Sequence, residues 1–151
     1  MEPSINPNLP EWIVDHLTRY LGTDGEDGHM WDSSIGGGEG LVPTLLLLTR
    51  GRKSGNVLTL PLIYGETDNG YVVIASKGGD PAHPAWYLNL DADPNVTVQV
   101  KADRFEARAR VAEGEERERL WKQMAGVYFP YDKYAELAGD RVIPVVVLER
   151  V

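Results

Sequence analysis

Residues 43–76 read PTLLLLTRGRKSGNVLTLPLIYGETDNGYVVIAS. Three short apolar runs are separated by two turn signals, and that texture decides the fold class. PTLLLLTR (43–50) is too short to read as a helix, VLTLPLIY (57–64) is a second strand candidate and YVVIAS (71–76) a third. GRKSG (51–55) turns the chain between the first two. ETDNG turns it between the next two, with Asn69-Gly70 as the hairpin dipeptide. Pro61 has no N–H to give a ladder, so the second strand sits at an edge or carries a bulge.

Beyond Ser76, KGGDPAHP reads as a loop and AWYLNLDA as a short helix with Pro84 at its first turn. VTVQV and RFEARARV alternate as half-buried strands do, with Phe105, Ala107, Ala109 and Val111 on one face. A long helix runs from about Glu113 to Val127, a short one carries Tyr131, Tyr134 and Leu137, and IPVVVLE (143–149) closes the chain as a strand. In the other direction, Leu9, Trp12, Ile13, Leu17, Tyr20 and Leu21 form a helical stripe. Residues 22–42 hold seven glycines and read as a flexible loop. Twenty-odd residues cannot build a core, so 1–42 (helix and Gly-rich loop) belongs to the same domain as 43–151. The order α, β, β, β, α, β, β, α, α, β favours hairpins, and many short strands favour closure, which removes exposed edges. The expectation is an α+β domain: a small, mainly antiparallel barrel with surrounding helices.

Composition narrows the function. The 151 residues suit one domain with a real core. Cysteine is absent, which removes disulfides, thiolate metal sites and cysteine nucleophiles. A formal charge of -8 opposes nucleic-acid binding but leaves room for a local basic pocket. The start, MEPSINPNLPEW, lacks the basic and apolar regions of a signal peptide, and no apolar run approaches the length of a membrane span. The expected setting is the cytoplasm, with a small-molecule substrate. Contact with the membrane periphery and oligomeric state are left open.

Four segments could carry chemistry. In GRKSG, flanking glycines free the backbone to present N–H groups, Arg52 can clamp a phosphate or carboxylate, Lys53 adds a point charge and Ser54 a hydroxyl. The plainer reading is a solvated basic turn. In ASKGG (75–79), Lys77 places a second cation at a strand end beside two glycines; the plainer reading is a surface lysine. In HPAWYLNL, Trp86 and Tyr87 open a helix and could wall a bound ring, or could be core. Tyr128, Tyr131 and Tyr134 share a helical face, either stacking on the barrel or offering a phenol to a substrate. The three histidines form no close pair, so no metal site is expected. Neither G-x-S-x-G nor G-x-G-x-x-G occurs, so hydrolase and Rossmann readings lack support. Missing acid–base machinery suits an enzyme whose cofactor carries the chemistry.

Taken in order, T-R-GRKSG, P-L-I-Y, ASKGG-x-P-x-HP-x-WY-x-NL, D-P-N-V and R-x-IPVVVLE resemble the deazaflavin (F420)-dependent nitroreductase family of actinobacteria, over about Pro43–Val151. The resemblance implies a split β-barrel related to flavin reductases. It also implies hydride transfer from reduced coenzyme F420, an 8-hydroxy-5-deazaflavin, to quinones, nitroaromatics or activated enones. By the same resemblance, Arg52, Lys53 and Ser54 meet the anionic end of the coenzyme. Ile74, Ala75, Ser76, Lys77, Ala85, Trp86, Tyr87, Leu88, Asn89 and Tyr131 line it, and Tyr128, Tyr131 and Tyr134 meet substrate. Tyr128, Tyr131 and Ser76 are the candidates for protonating the product. Two cofactor positions depart from the pattern: Leu58 replaces a common arginine and Ile63 a tyrosine. The first change removes a charge-assisted contact worth about 1.5–3 kcal/mol. Tyr64 points the other way in a strand and does not replace the lost phenol. The rival readings are an FMN-binding reductase on the same barrel and a carrier that holds the deazaflavin without turning it over.

Overall fold

The computed structural model describes residues 1–151. Its elements are α1 (Glu11–Gly22), β1 (Met30–Asp32), β2 (Leu41–Arg50), β3 (Val57–Ile63), β4 (Gly65–Thr67), β5 (Gly70–Ile74), α2 (Ala85–Ala92), β6 (Asn95–Val100), β7 (Asp103–Val111), α3 (Gly114–Val127), α4 (Pro130–Leu137) and β8 (Val145–Arg150). Short 3-10 turns occupy Ser33–Gly36 and Lys77–Gly79. Every strand pairing is antiparallel, in the order β1-β2-β6-β7-β8-β5-β4, and β3 also pairs with β2. β3 and β4, at the two ends of this curled sheet, follow one another in the chain and are joined through Tyr64. The result is a barrel in an α+β chain, as the short strands and turn chemistry predict, and its split form is the one the family resemblance implies.

The two kinds of strand have a simple cause. In β2, Leu45 and Leu47 face the barrel interior with Val73, Val98, Phe105 and Leu148, while Leu46 and Leu48 lie under Leu17 and Tyr20 of α1. In β8, Val146 and Leu148 point inward, while Val145 and Val147 meet Leu120 and Met124 of α3. Strands covered on both faces read as continuous apolar runs; β7 has one wet face and alternates. Pro61 lies in β3, which pairs only with β2, so its missing N–H costs no ladder bond on the open side.

Two local expectations are corrected. The segment 22–42 is not a loose loop: it contains β1 and the Ser33–Gly36 turn, capped by Asp32 and tied by Ser33 N–H donating to Gly40 O at 2.9 Å. Gly38 serves close approach, since a Cβ there would stand 2.7 Å from Ser33 Oγ and 2.8 Å from Tyr128 Cδ1. A three-residue strand is too short to show a period. The β4–β5 turn is centred on Asp68-Asn69, and Gly70 already pairs with Glu149. Gly70 is needed there because a Cβ would strike the Leu148 carbonyl.

α1 is bolted to the barrel through one phenol. Tyr20 Oη donates to Thr44 O at 3.0 Å and accepts from Lys101 N–H at 2.9 Å. No helix is long and apolar enough to cross a membrane.

Candidate active site

A cavity of about 660 Å³ opens between α1, β3 and α4. β3 supplies Leu60, Pro61, Leu62 and Ile63; the end of β5 and the turn after it supply Ile74, Ser76, Lys77 and Gly78; Pro84 and Trp86 come from the start of α2. Tyr128, Tyr131 and Tyr134 form the wall at α4. The remaining wall comes from the first 44 residues: Trp12, Ile13 and His16 of α1, Trp31, Ile35, Gly36 and Thr44. Trp12 and Trp31 stack with ring centroids 6.1 Å apart. This size suits an aromatic small molecule.

The three tyrosines are not equivalent. Tyr128 Oη donates to Gly36 O at 2.7 Å, and the Tyr134 hydroxyl lies 2.8 Å from Tyr128 Oη and 3.2 Å from the same carbonyl. These two phenols knot α4 to the Ser33–Gly36 turn. The Tyr131 hydroxyl stands outside the knot and bonds to no protein group. Burial raises Tyr131 far above the ordinary phenol range, helped by the neighbouring Tyr128 and Tyr134. Burial also raises Tyr128, as does its hydrogen bond with Tyr134. Both phenols therefore keep their protons at neutral pH, and the Tyr131 hydroxyl is free to donate a hydrogen bond.

The strand-end turn is shaped from behind by Arg141. Its guanidinium donates to the carbonyls of Ala75 at 3.0 Å, Ser76 at 2.6 Å and Asp80 at 2.8 Å, and lies 3.1 Å from His83 Nδ1. Lys77 is held there at φ 47°, a left-handed conformation that non-glycine residues seldom adopt. No motif rule marks Arg141, because what it recognises is a row of backbone carbonyls.

The basic turn lies at the opposite end of β3. Asn89, buried on α2, accepts from Arg52 N–H at 3.2 Å and from its guanidinium at 3.1 Å, while its amide donates to Thr49 Oγ1 at 3.1 Å. Ser54 Oγ accepts from Asn56 N–H, and Gly55 N–H donates to Gly51 O. Arg19, Arg104, Arg110 and Arg150 all form ion pairs. Arg50, Arg52, Lys53 and Lys77 form none. Val57 to Ile63 covers roughly 20 Å of strand at 3.3 Å per residue. An apolar cavity and an unneutralised basic turn thus sit at the two ends of one open strand edge.

Of the residues singled out in the sequence, Ile63, Ile74, Ser76, Lys77, Trp86, Tyr128, Tyr131 and Tyr134 line the cavity. Arg52, Lys53 and Ser54 form the turn, and Leu58 packs against the barrel core between the two. Ala75 is fully buried, with its carbonyl bound by Arg141. Ala85, Tyr87, Leu88 and Asn89 belong to α2 but not to the cavity wall; the Tyr87 ring packs tilted against His83, with centroids 4.7 Å apart. Tyr64 is buried in the barrel core with its hydroxyl 2.9 Å from His29 Nε2, and burial pushes its pKa up to about 12.

The sequence matches the profile of the F420H(2)-dependent quinone reductases over residues 12–150. The chain belongs to that family. It is 37% identical over 141 residues to the F420H(2)-dependent quinone reductase Rv1261c of Mycobacterium tuberculosis, covering 89% of this chain and 87% of that one. The solved structure of an F420-H2 dependent reductase, FDR-A, is 44% identical, with a TM-score of 0.65 over 71% of this chain and 94% of that one. A domain-swapped dimer is 38% identical, with a TM-score of 0.67 over 92% and 98% of the two chains. The quinone reductase family match begins inside α1, so it takes in Trp12 and the N-terminal wall that the motifs from Pro43 onward leave out. Members of this family are oxidoreductases.

Proposed function

We propose that the protein reduces a quinone, or a similarly electron-poor acceptor, with hydride from reduced F420. The observation that carries this reading is the pairing of an apolar cavity with unpaired Arg52 and Lys53 at the two ends of β3. A flat ring joined by a spacer to a polyanionic tail fits that layout. FMN has a much shorter anionic arm and uses it less well.

Arg52, Lys53 and Ser54 hold the anionic tail, with Asn89 fixing the direction of Arg52. Lys77, Ser76, Ile74 and Trp86 flank the ring, and Arg141 sets the backbone that presents them. Bound reduced F420 supplies a hydride to an electron-poor carbon of the acceptor. Tyr131 Oη donates a hydrogen bond to the acceptor oxygen as negative charge develops there, Ser76 lies on the same wall, and the proton that the reduced oxygen requires comes from solvent. The Tyr128–Tyr134–Gly36 knot and the Trp12–Trp31 stack keep the wall rigid and hold water away. The setting we infer is the cytoplasm, with the acceptor entering from solution or from a membrane surface.

The test mixes purified protein, F420H2 and menadione and follows the return of oxidised F420. Acceleration over the protein-free reaction supports the proposal. Tight F420 binding without acceleration indicates a carrier, and a yellow protein that retains FMN and ignores F420 indicates the flavin reductase.

A further inference from the structure

The turn after β5 bends in a way that its own bonds do not explain. Lys77, Gly78 and Gly79 follow one another with φ of 47°, 62° and 83°. Glycine reaches that region freely; a lysine does not. Within the turn, Gly79 N–H donates to Ser76 O and Asp80 N–H to Lys77 O. From one side α4 pins it, since a Cβ on Gly79 would stand 2.9 Å from Tyr134 O. From the other side the Arg141 guanidinium, in the loop before β8, spans the carbonyls of Ala75, Ser76 and Asp80.

His83 completes this arrangement. Arg141 Nη1 is shared between Ala75 O at 3.0 Å and His83 Nδ1 at 3.1 Å. A guanidinium can only donate, so Nδ1 is the accepting nitrogen and the ring proton sits on Nε2. The ring is braced from α2 by Tyr87. A protonated ring would set an N–H and a positive charge against the guanidinium, so the contact exists only with the neutral ring. Burial, the largest influence, and the Arg141 charge lower the His83 pKa below 6.5, while Asp91 of α2 pulls it up. Tyr87 stays protonated because burial raises it. The Asp80 carboxylate is turned to Ala82 N–H at 2.8 Å.

We propose that His83 is a positioning residue: as a neutral acceptor it fixes Arg141, and Arg141 holds Ser76 and Lys77 at the cavity. Ser76, Lys77 and Gly78 line the cavity, whereas His83 and Arg141 do not. The pair therefore acts on the reacting molecules through the turn. Protonation of His83 pushes the guanidinium away and frees Lys77 from its left-handed conformation. Arg52 and Lys53, at the far end of β3, keep their grip on the coenzyme tail. Turnover should accordingly fall in mild acid by more than coenzyme affinity does. This rests on the reading of the cavity as the place of hydride transfer and adds the group that ties that place to pH.

The experiment compares the wild-type protein with His83→Gln and His83→Phe. Glutamine offers an accepting oxygen that does not titrate; phenylalanine keeps a ring against Tyr87 and offers no acceptor. At about pH 7.5, kcat with F420H2 and menadione should fall about tenfold in His83→Phe, and glutamine should recover most of it. Between about pH 7.5 and pH 5 the wild-type protein should lose about three- to tenfold in kcat relative to His83→Gln. A second readout needs no turnover. In the protein without coenzyme, the backbone amide resonances of Ser76, Lys77 and Gly78 should move with one titration below pH 6.5 and stand still in His83→Gln. An acid loss of equal depth in both proteins, or amides of the turn that do not titrate, overturns the positioning role. If the amides titrate as expected while the wild-type protein fails to oxidise F420H2, the contact with Arg141 stands and the hydride-transfer reading falls.

Discussion

The two ends of β3 are built in opposite ways. The basic turn is local: Arg52, Lys53 and Ser54 are consecutive and exposed, and one side chain from elsewhere, Asn89, braces them. The cavity is assembled from seven stretches of chain, from Trp12 to Tyr134, and its decisive polar atoms are buried. A charged tail needs little shaping, because electrostatic attraction tolerates imprecise geometry. A reacting ring needs a dry, fixed wall. The difference predicts that the turn controls affinity and the cavity controls turnover.

Tyr131→Phe separates the two ends most sharply. The change deletes a hydroxyl without a protein partner, so Tm should hold while kcat with menadione falls about 100-fold, the lower range for loss of one donor to a developing oxyanion. Tyr128→Phe is the contrast: it removes the donor to Gly36 O and should lower stability by about 1 kcal/mol. Identical losses of Tm and kcat in both variants would erase the distinction between them.

At the other end, Arg52→Ala combined with Lys53→Ala should weaken F420 binding roughly 10- to 100-fold, with kcat at saturating coenzyme nearly unchanged. Equilibrium titration of the double variant measures this. Unaltered affinity would remove the turn from the site. Tm should move little, because neither side chain is in an ion pair.

The smallest effect concerns acid. His16 is held neutral by burial, so its folded pKa lies below the unfolded value of 6.5. The unfolded chain then takes up a proton first, and stability present above pH 6.5 is lost as pH falls toward the folded pKa, by at most about 1.4 kcal/mol per pH unit. His29 is shifted in the same direction by burial and adds to the slope. Thermal melts between about pH 7.5 and pH 5 should show falling Tm, with a flatter profile in His16→Gln. An unchanged slope would mean that α1 does not seal the cavity as tightly as its packing indicates.

Much of this was legible in the chain itself. The doubly covered strands appear as LLLL and VVVL, the half-wet strand as RFEARARV, and the basic turn as GRKSG, because each pattern is written over consecutive residues. The N-terminal half of the cavity was not legible. Met30–Asp32 is too short to show a period, the glycines of 36–40 look like looseness when Gly36 and Gly38 mark close approach and Gly37 and Gly40 left-handed turns, and His16 belongs to an ordinary amphipathic stripe. Arg141 left no local signal, since its partners are backbone atoms more than sixty residues away.

The sequence by itself determined the alternation of strand and turn, the covered and wet faces, and where unpaired positive charge would gather. All three depend on neighbours within a few positions. Which phenol is free, which histidine nitrogen faces Arg141 and how the turn after β5 is held were decided only when α1, α4 and the loop before β8 met across the barrel. Hydrogen-bond satisfaction depends on the atoms that arrive from elsewhere in the fold.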